Sequence, residues 1–210
     1  MEEVIETYLL PLDETHPVVC FDESPLQLLR EVREPIDAAP GRPRREDYEY
    51  ERCGVAEVMM LCQPAAGLRK CMVMAHRRKT DFAAVCKEID RMFPKAHKIT
   101  LVCDNLNTHT VGALYATFPA EEARRLARKI DIRHTPKHGS WLNIAELEFA
   151  VLGKTVFKKR IADNEQLQRE LDAICAERNA QATPVRWQFN LRKAREKMAW
   201  AYPDILKESN

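Results

Sequence analysis

The sequence predicts an α/β domain built on a mixed sheet of about five strands, with the first three strands antiparallel and helices flanking the sheet. Three apolar, β-rich runs follow one another in the first third of the chain. Further on, short apolar runs alternate with segments whose apolar residues recur at the spacing of a helix. At 210 residues and 45% hydrophobic content, the chain is long enough for one such domain and a small extension.

The antiparallel strands are predicted within residues 17–75. Pro17–Glu23 is an apolar run that ends in two acidic residues, while Gly54–Leu61 and Leu68–Ala75 have the pattern of a hairpin with a slightly long connection. Between them, a segment rich in proline and arginine predicts an irregular loop with a short helix at Pro25–Val32. Residues 1–16 are expected to be a lead-in segment without a clear element.

Helices and strands alternate after residue 79. The predicted elements are a helix at Thr80–Phe93, a strand at Ile99–Asp104, helices at Val111–Phe118 and Ala120–Lys129, a strand at Ile130–His134, a helix from Ser140 or Asn143 to about Phe157, and a helix from Asp163 or Asn164 to about Asn179. The expected domain therefore spans residues 17–180. A basic helical extension is expected at residues 181–210, where Leu191–Tyr202 is amphipathic.

Composition excludes several classes of protein. The seven cysteines include no Cys-x-x-Cys pair, and most lie inside apolar runs, which argues against structural zinc and against a disulfide framework. No signal peptide and no apolar run of membrane-spanning length occur, so we expect a protein of a reducing compartment that does not interact with membranes. Lys+Arg total 33 against 32 Asp+Glu, so net charge alone does not indicate a polyanionic partner. Several basic clusters are suited either to phosphate contacts or to solvated helix faces.

Carboxylates at the ends of two predicted strands are the main chemical signal. Asp22 and Asp104 each follow an apolar run, and ligands of open α/β sheets bind beyond the carboxyl ends of strands. Either residue alone is equally well explained as a helix cap. On the later helix, Asn143 and Glu146 share a face, which makes Glu146 the better third carboxylate and leaves Glu148 as the reserve. Hard oxygen ligands of this kind suit Mg²⁺ or Mn²⁺.

Three sequence blocks resemble the catalytic blocks of the IS630 branch of the Tc1/mariner transposase superfamily. They are Phe-Asp22-Glu23-Ser, Cys-Asp104-Asn105-Leu-Asn-Thr-His109 and Thr-Pro-Lys-His138-Gly-Ser-Trp141-Leu-Asn143-Ile-Ala-Glu146. The resemblance implies an RNase H-like fold and a DDE triad of Asp22, Asp104 and Glu146 that binds two Mg²⁺ or Mn²⁺ ions. The predicted strand order agrees with that fold independently.

The expected activity is that of a DDE transposase, a metal-dependent endonuclease and polynucleotidyl transferase. It would cleave DNA at transposon ends and transfer the 3′-OH into target DNA. The resemblance further implies a homodimer acting on prokaryotic, nucleoid-associated DNA in the cytoplasm. Family members usually begin with helix-turn-helix modules that recognise the element ends. These are absent before Asp22, so a separate helix-turn-helix subunit is one expectation. The alternatives are a transposition-inactive remnant and an RNase H-like nuclease or nucleic-acid-binding module.

Eight further residues are candidate DNA contacts because they lie in or near these blocks or at a basic helix end. They are Asn105, His109, Lys137, His138, Asn143, Lys158, Lys159 and Arg160. For Asn105 and His109, a hydrogen bond that orders the loop is an equal alternative. The cations at 158–160 are also explained by the negative end of a helix dipole. Glu23 should face away from Asp22 by strand alternation, so a salt bridge or a loop cap is favoured over metal binding.

Overall fold

The structure is a computed structural model that describes residues 1–137 and 139–197 and contains a mixed five-stranded sheet in the order β3-β2-β1-β4-β5. The strands are β1 (Val18–Glu31), β2 (Tyr50–Gln63), β3 (Leu68–Met74), β4 (Ile99–Cys103) and β5 (Ile130–His134). Strands β1, β2 and β3 are antiparallel, whereas β4 and β5 run parallel to β1. The predicted mixed α/β sheet with its antiparallel first half is therefore confirmed.

Helices cover both faces of the sheet. They are α1 (Glu2–Tyr8), α2 (Lys79–Met92), α3 (Val111–Thr117), α4 (Ala120–Lys129), α5 (Ala145–Lys154), α6 (Asn164–Gln181) and α7 (Leu191–Lys197), with a short 3-10 helix at Ser140–Leu142. One face of the sheet packs its apolar side chains against α2, α3 and α4. The other face packs against α1, α5, α6 and α7. No helix in the described ranges is long and apolar enough to cross a membrane.

Side-chain alternation along β1 decides which acid faces which layer. Val19 and Phe21 belong to the core under α2, α3 and α4, whereas Cys20 belongs to the core under α5 and α6. Because successive side chains of a strand point to opposite faces, Asp22 points to the same face as Cys20, and Glu23 points to the same face as Phe21. Two adjacent acids of one strand therefore serve opposite sides of the sheet.

Parallel pairing brings Asp22 and Asp104 to the same edge of the sheet. The β1–β4 pairs end with Cys20 opposite Val102, so each aspartate lies two residues beyond the last pair. Since the carboxyl ends of parallel strands form the binding edge of an open sheet, this register places both acids at that edge.

Three local predictions are wrong. Residues 2–8 of the lead-in form α1, which buries Val4 and Ile5 in the core. Strand β1 does not stop near Asp22 but continues to Glu31, where the sequence predicted a loop and the helix Pro25–Val32. The physical reason is a long ladder with β2, which reaches Glu31 opposite Tyr50 and includes an irregularity between Gln27 and Leu29.

The remaining predicted elements appear close to their expected positions. Strand β5 and helix α4 have the predicted bounds. The helix expected from Ser140 or Asn143 is divided into the 3-10 helix and α5, which ends at Lys154 rather than near Phe157. Of the predicted amphipathic segment Leu191–Tyr202, residues 191–197 form α7, and residues 198–202 lie outside the described residues.

An ion-pair cluster joins α2 to α4 at the end of the sheet away from Asp104. The Asp90 carboxylate accepts hydrogen bonds of 2.8 Å from both Arg125 and Lys129. Burial acts to raise the pKa of Asp90, but these two hydrogen bonds outweigh it and hold the pKa below its ordinary value.

Replacing Asp90 with asparagine should therefore lower the free energy of unfolding at pH 7 by about 1–2 kcal/mol. Because the folded-state pKa is lowered, this stabilisation is present above the unfolded-state pKa of about 4 and is lost as the pH falls through the folded-state pKa. Urea unfolding of both proteins at pH 7 and at successively lower pH tests this. A difference that stays constant down to acid pH would contradict the ionic origin of the effect.

Candidate active site

The Asp22 carboxylate is partly buried among negative charges. Burial raises its pKa most, and the charges of Glu23, Asp104 and Glu146 raise it further, to about 7. The opposing interaction is the Glu23 N–H, which donates a 3.0 Å hydrogen bond to Oδ1 of Asp22. Asp22 therefore lies close enough to the other two predicted triad acids for their charges to destabilise its ionised form.

Asn143 fixes the start of α5 against β1. Its side chain is buried, with Nδ2 donating a 2.7 Å hydrogen bond to the Phe21 carbonyl and Oδ1 accepting one of 3.2 Å from the Ala145 N–H. The Tyr8 hydroxyl donates a 2.8 Å hydrogen bond to the Leu142 carbonyl from the adjacent α1. These contacts hold the first turn of α5, and hence Glu146, beside the strand that carries Asp22.

His109 is buried between two carboxylates rather than facing solvent. Its Nδ1 lies 2.6 Å from Oδ1 of Asp104, and its Nε2 lies 3.3 Å from Oε2 of Glu23. Burial acts to lower the pKa of His109, but the contacts with Asp104, Cys103 and Glu23 together raise it to about 12. The Nδ1 atom also lies 3.3 Å from the Asp104 carbonyl, a contact of the loop-ordering kind that was the alternative to a DNA contact for His109.

Glu148, the reserve candidate for the third acid, belongs to a different cluster. Its side chain is 3% exposed, and its Oε1 lies 3.0 Å from Nε of Arg69, itself 5% exposed. Its other oxygen pairs with Arg178 on α6. Because both oxygens are already engaged by arginines, Glu148 is a structural ion-pair partner, and Glu146 is the acid of α5 whose charge acts on Asp22.

A family profile described as DDE superfamily endonuclease matches residues 17–168. The chain belongs to this family. A comparison with curated protein sequences finds no match.

Solved structures support the fold of this DDE domain. The Mos1 strand transfer complex matches with a TM-score of 0.54 at 14% identity, covering 83% of this chain and 51% of that one. The Mos1 mariner paired end complex with Mn matches with a TM-score of 0.54 at 13% identity, covering 86% and 55%. The DDE domain therefore spans about half the length of these transposase chains and shares the RNase H-like fold of their catalytic region, as the sequence predicted.

The seven candidate DNA contacts other than His109 differ in where they lie in the DDE domain. Asn105 and Lys137 are exposed in loops that follow β4 and β5, on the edge that carries Asp104. Asn143 is buried and engaged with backbone, as described above. His138 lies outside the described residues.

The basic group at 158–160 lies elsewhere. Arg160 pairs with Glu31 at 2.5 Å and Lys159 pairs with Glu170 at 2.6 Å, while Lys158 is exposed. Glu31 is nine residues beyond Asp22 along β1, which corresponds to roughly 30 Å of extended strand. The group is therefore remote from the carboxylates of the DDE domain.

A basic loop beside the site was not assigned to it by the sequence. Residues 76–79 are exposed, and Arg77 and Arg78 line a small cavity together with Glu23 and His109. The charges of this loop also act on Glu57. Burial raises the pKa of Glu57, and the charges of Arg77 and His76 oppose that change. The sequence signal was the run of basic residues at 76–79. Its position beside Glu23 and His109 depends on folding of the β2–β3 hairpin that precedes it.

The carboxylates of the DDE domain fit divalent ions. Asp22, Asp104 and Glu146 are hard oxygen donors, and burial, together with the charges of Glu23, Asp104 and Glu146, raises the pKa of Asp22 to about 7. A second set, Glu23, Asp104 and His109, has ligand atoms that lie within 4.8 Å of one another. In that set each ring nitrogen of His109 already faces its own carboxylate, so we assign it to ion pairing rather than to metal binding. A DDE-type domain implies use of a divalent metal.

Proposed function

We propose that this chain is the catalytic domain of a transposase that cleaves DNA at transposon ends and joins the freed 3′-OH to target DNA. Asp22, Asp104 and Glu146 would hold two Mg²⁺ or Mn²⁺ ions. Support comes from the family match and from the register that places Asp22 and Asp104 just beyond the last β1–β4 pair, with the charges of Asp104 and Glu146 acting on Asp22. When bound, such ions lower the pKa of the attacking hydroxyl and stabilise negative charge on the leaving oxygen.

The chemistry consists of two phosphoryl transfers that share one site. In the first, the oxygen of a water molecule bonds to phosphorus and the bond to the 3′ oxygen breaks, which leaves a 3′-OH and a 5′-phosphate. In the second, that 3′-OH bonds to a phosphorus of target DNA and displaces another 3′ oxygen. Neither transfer requires a covalent bond between protein and DNA.

The residues of this chain supply position and charge for these transfers. Asn143 orients the first turn of α5 and so holds Glu146 beside strand β1. The exposed cations of residues 76–79 and Lys137 lie on or beside the same edge and would attract the phosphate backbone. We further propose a homodimer that acts on nucleoid DNA in a prokaryotic cytoplasm and in which helix-turn-helix modules, on this or a separate chain, supply sequence recognition.

The direct test is cleavage of duplex DNA carrying the element's terminal repeats, with Mn²⁺ or Mg²⁺ present. We expect nicks with 3′-OH ends that disappear in EDTA, and a loss of at least about 100-fold in rate for Glu146→Gln, because one carboxylate of the site becomes neutral. Joining of labelled ends to a second plasmid distinguishes strand transfer from simple hydrolysis.

The matched control is Glu177→Gln, an exposed glutamate of α6. Cleavage that persists in EDTA, or equal rates in the wild type and Glu146→Gln, would contradict the proposed site. Cleavage without joining would favour an RNase H-like nuclease.

A further inference from the structure

The backbone alone does not fix the separation of Asp22 and Asp104. The β1–β4 ladder ends at Cys20 and Val102, two residues before either aspartate. Beyond Cys20, the strand that β1 pairs with is β2. Strand β4 ends at Cys103, so Asp104 begins the loop that follows. The two aspartates therefore lie beyond the last β1–β4 backbone pair, Asp22 within the continuing strand β1 and Asp104 just after the end of β4.

Side chains connect these two positions instead. His109 contacts Asp104 at 2.6 Å through Nδ1 and Glu23 at 3.3 Å through Nε2. Glu23 is the chain neighbour of Asp22, so the path runs from β1 through Glu23 and His109 to the carboxylate at the end of β4. This path lies on the face of the sheet opposite to Glu146.

The central member of this path is rigidly held. The imidazole stacks on Phe82 with ring centroids 4.7 Å apart and meets Phe21 edge-on at 5.1 Å. Its own carbonyl lies 2.8 Å from Nε2 of His134, the last residue of β5. Its side chain is 3% exposed, so the ring cannot turn away without displacing two aromatic rings of the core.

One ligand atom from each of the side chains of Glu23, Asp104 and His109 lies within 4.8 Å of the others. We assign the set to ion pairing because Nδ1 and Nε2 of His109 each already lie close to a different carboxylate. With each nitrogen close to a different carboxylate, the ring links the two. Partners of this kind, which contact a metal ligand rather than the metal, typically change metal affinity or activity 10–100-fold when removed.

We propose that Glu23 and His109 form a positioning bridge that sets the orientation of Asp104 and its distance from Asp22. The inference rests on the proposed function, because it assigns the two aspartates to one metal-binding site. Glu23 and His109 touch neither substrate nor metal in this arrangement and act through Asp104.

The experiment measures Mn²⁺ binding by calorimetry to metal-free wild type, Glu23→Gln, His109→Gln and the double variant, with thermal unfolding in EDTA alongside. We expect each single variant to weaken Mn²⁺ binding about 10–100-fold while remaining folded. The double variant should weaken it no more than the stronger single variant, because both residues belong to one path. The matched control Asp90→Asn, which removes a paired carboxylate at the other end of the sheet, should bind Mn²⁺ as the wild type does.

Wild-type Mn²⁺ affinity in folded Glu23→Gln would overturn the bridge, even if its melting temperature fell. If His109→Gln fails to fold, Glu23→Gln decides the question alone. Mn²⁺ binding by a wild type that cleaves no DNA would refute the proposed function but leave the bridge supported by any loss of affinity in the variants. Absence of Mn²⁺ binding by the wild type would overturn both.

Discussion

Replacing Asp22 with asparagine is expected to abolish DNA cleavage and, at the same time, to stabilise the metal-free protein. Cleavage should fall about 10⁴-fold or more, the range found when one member of a catalytic constellation is removed. Stability should rise because the partly buried Asp22 carboxylate is destabilised by burial and by its acidic neighbours, whereas asparagine carries no charge. The Oδ1 atom of asparagine can still accept the hydrogen bond from the Glu23 N–H.

The stability gain of this variant should depend on pH in a defined direction. The pKa of Asp22 is about 7 in the folded protein and about 4 when unfolded. A raised folded-state pKa means that the wild type is most stable below the unfolded-state value and loses that stability as the pH rises from about 4 to about 7. The variant should therefore match the wild type near pH 4 and exceed it above pH 7, by on the order of 2 kcal/mol after allowance for solvent screening.

Urea unfolding in EDTA across pH 4 to 8 provides the measurement, with cleavage assayed on the same preparations. The exposed-site variant Glu177→Gln serves as the control for both. Equal stability of the two proteins at pH 8 would show that the acidic cluster is not strained in the absence of metal. Residual cleavage within tenfold of the wild type would remove Asp22 from the proposed triad.

Replacing Glu148 with alanine is expected to cause the largest loss of stability, about 3–5 kcal/mol of unfolding free energy. Both oxygens of this buried side chain are paired with arginines, and the variant would leave the Arg69 guanidinium buried without its carboxylate. Arg69 keeps a 3.2 Å hydrogen bond to the Thr183 carbonyl and another to the Gly67 carbonyl, but neither supplies a compensating charge.

Chemical denaturation at pH 7 checks this result, with Glu177→Ala, on the exposed face of α6, as the control that should change stability by no more than about 0.5 kcal/mol. The double variant Glu148→Leu with Arg69→Met should recover much of the loss, because it removes both charges together. A Glu148→Ala protein as stable as the control would mean that the arginines do not depend on this acid.

The position of the two aspartates could be predicted from sequence because it depends on local patterns. The apolar runs before Asp22 and Asp104 identify two strands, whose parallel register brings both acids just beyond the last paired residues. Only Asp104 follows a strand end, because β1 continues past Asp22 to Glu31. The helical spacing that favoured Glu146 over Glu148 also used only neighbouring residues, and the arginine partners of Glu148 agree with that choice. The family blocks then supplied the class of chemistry, which the family match confirms.

Other features depend on partners that are distant in sequence and could not be predicted in this way. The burial of His109 requires Glu23 and Phe82 from other elements. The second half of β1 contains a proline and several charged residues, and it is a strand because β2 pairs with it along its length. Helix α1 has only seven residues, too few for a clear period, and its place in the core depends on packing against the sheet.

The opposite orientations of Asp22 and Glu23 make catalysis conditional on correct strand alignment. A slip of β1 by a single residue would exchange the faces of these two acids, since strand side chains alternate with a period of two. Glu23 would then point toward α5, and Asp22 would point toward His109 behind the sheet. A misaligned chain would lose both the carboxylate pair and its supporting contact at once, so an error in folding yields an inert protein and not a nuclease with altered cutting.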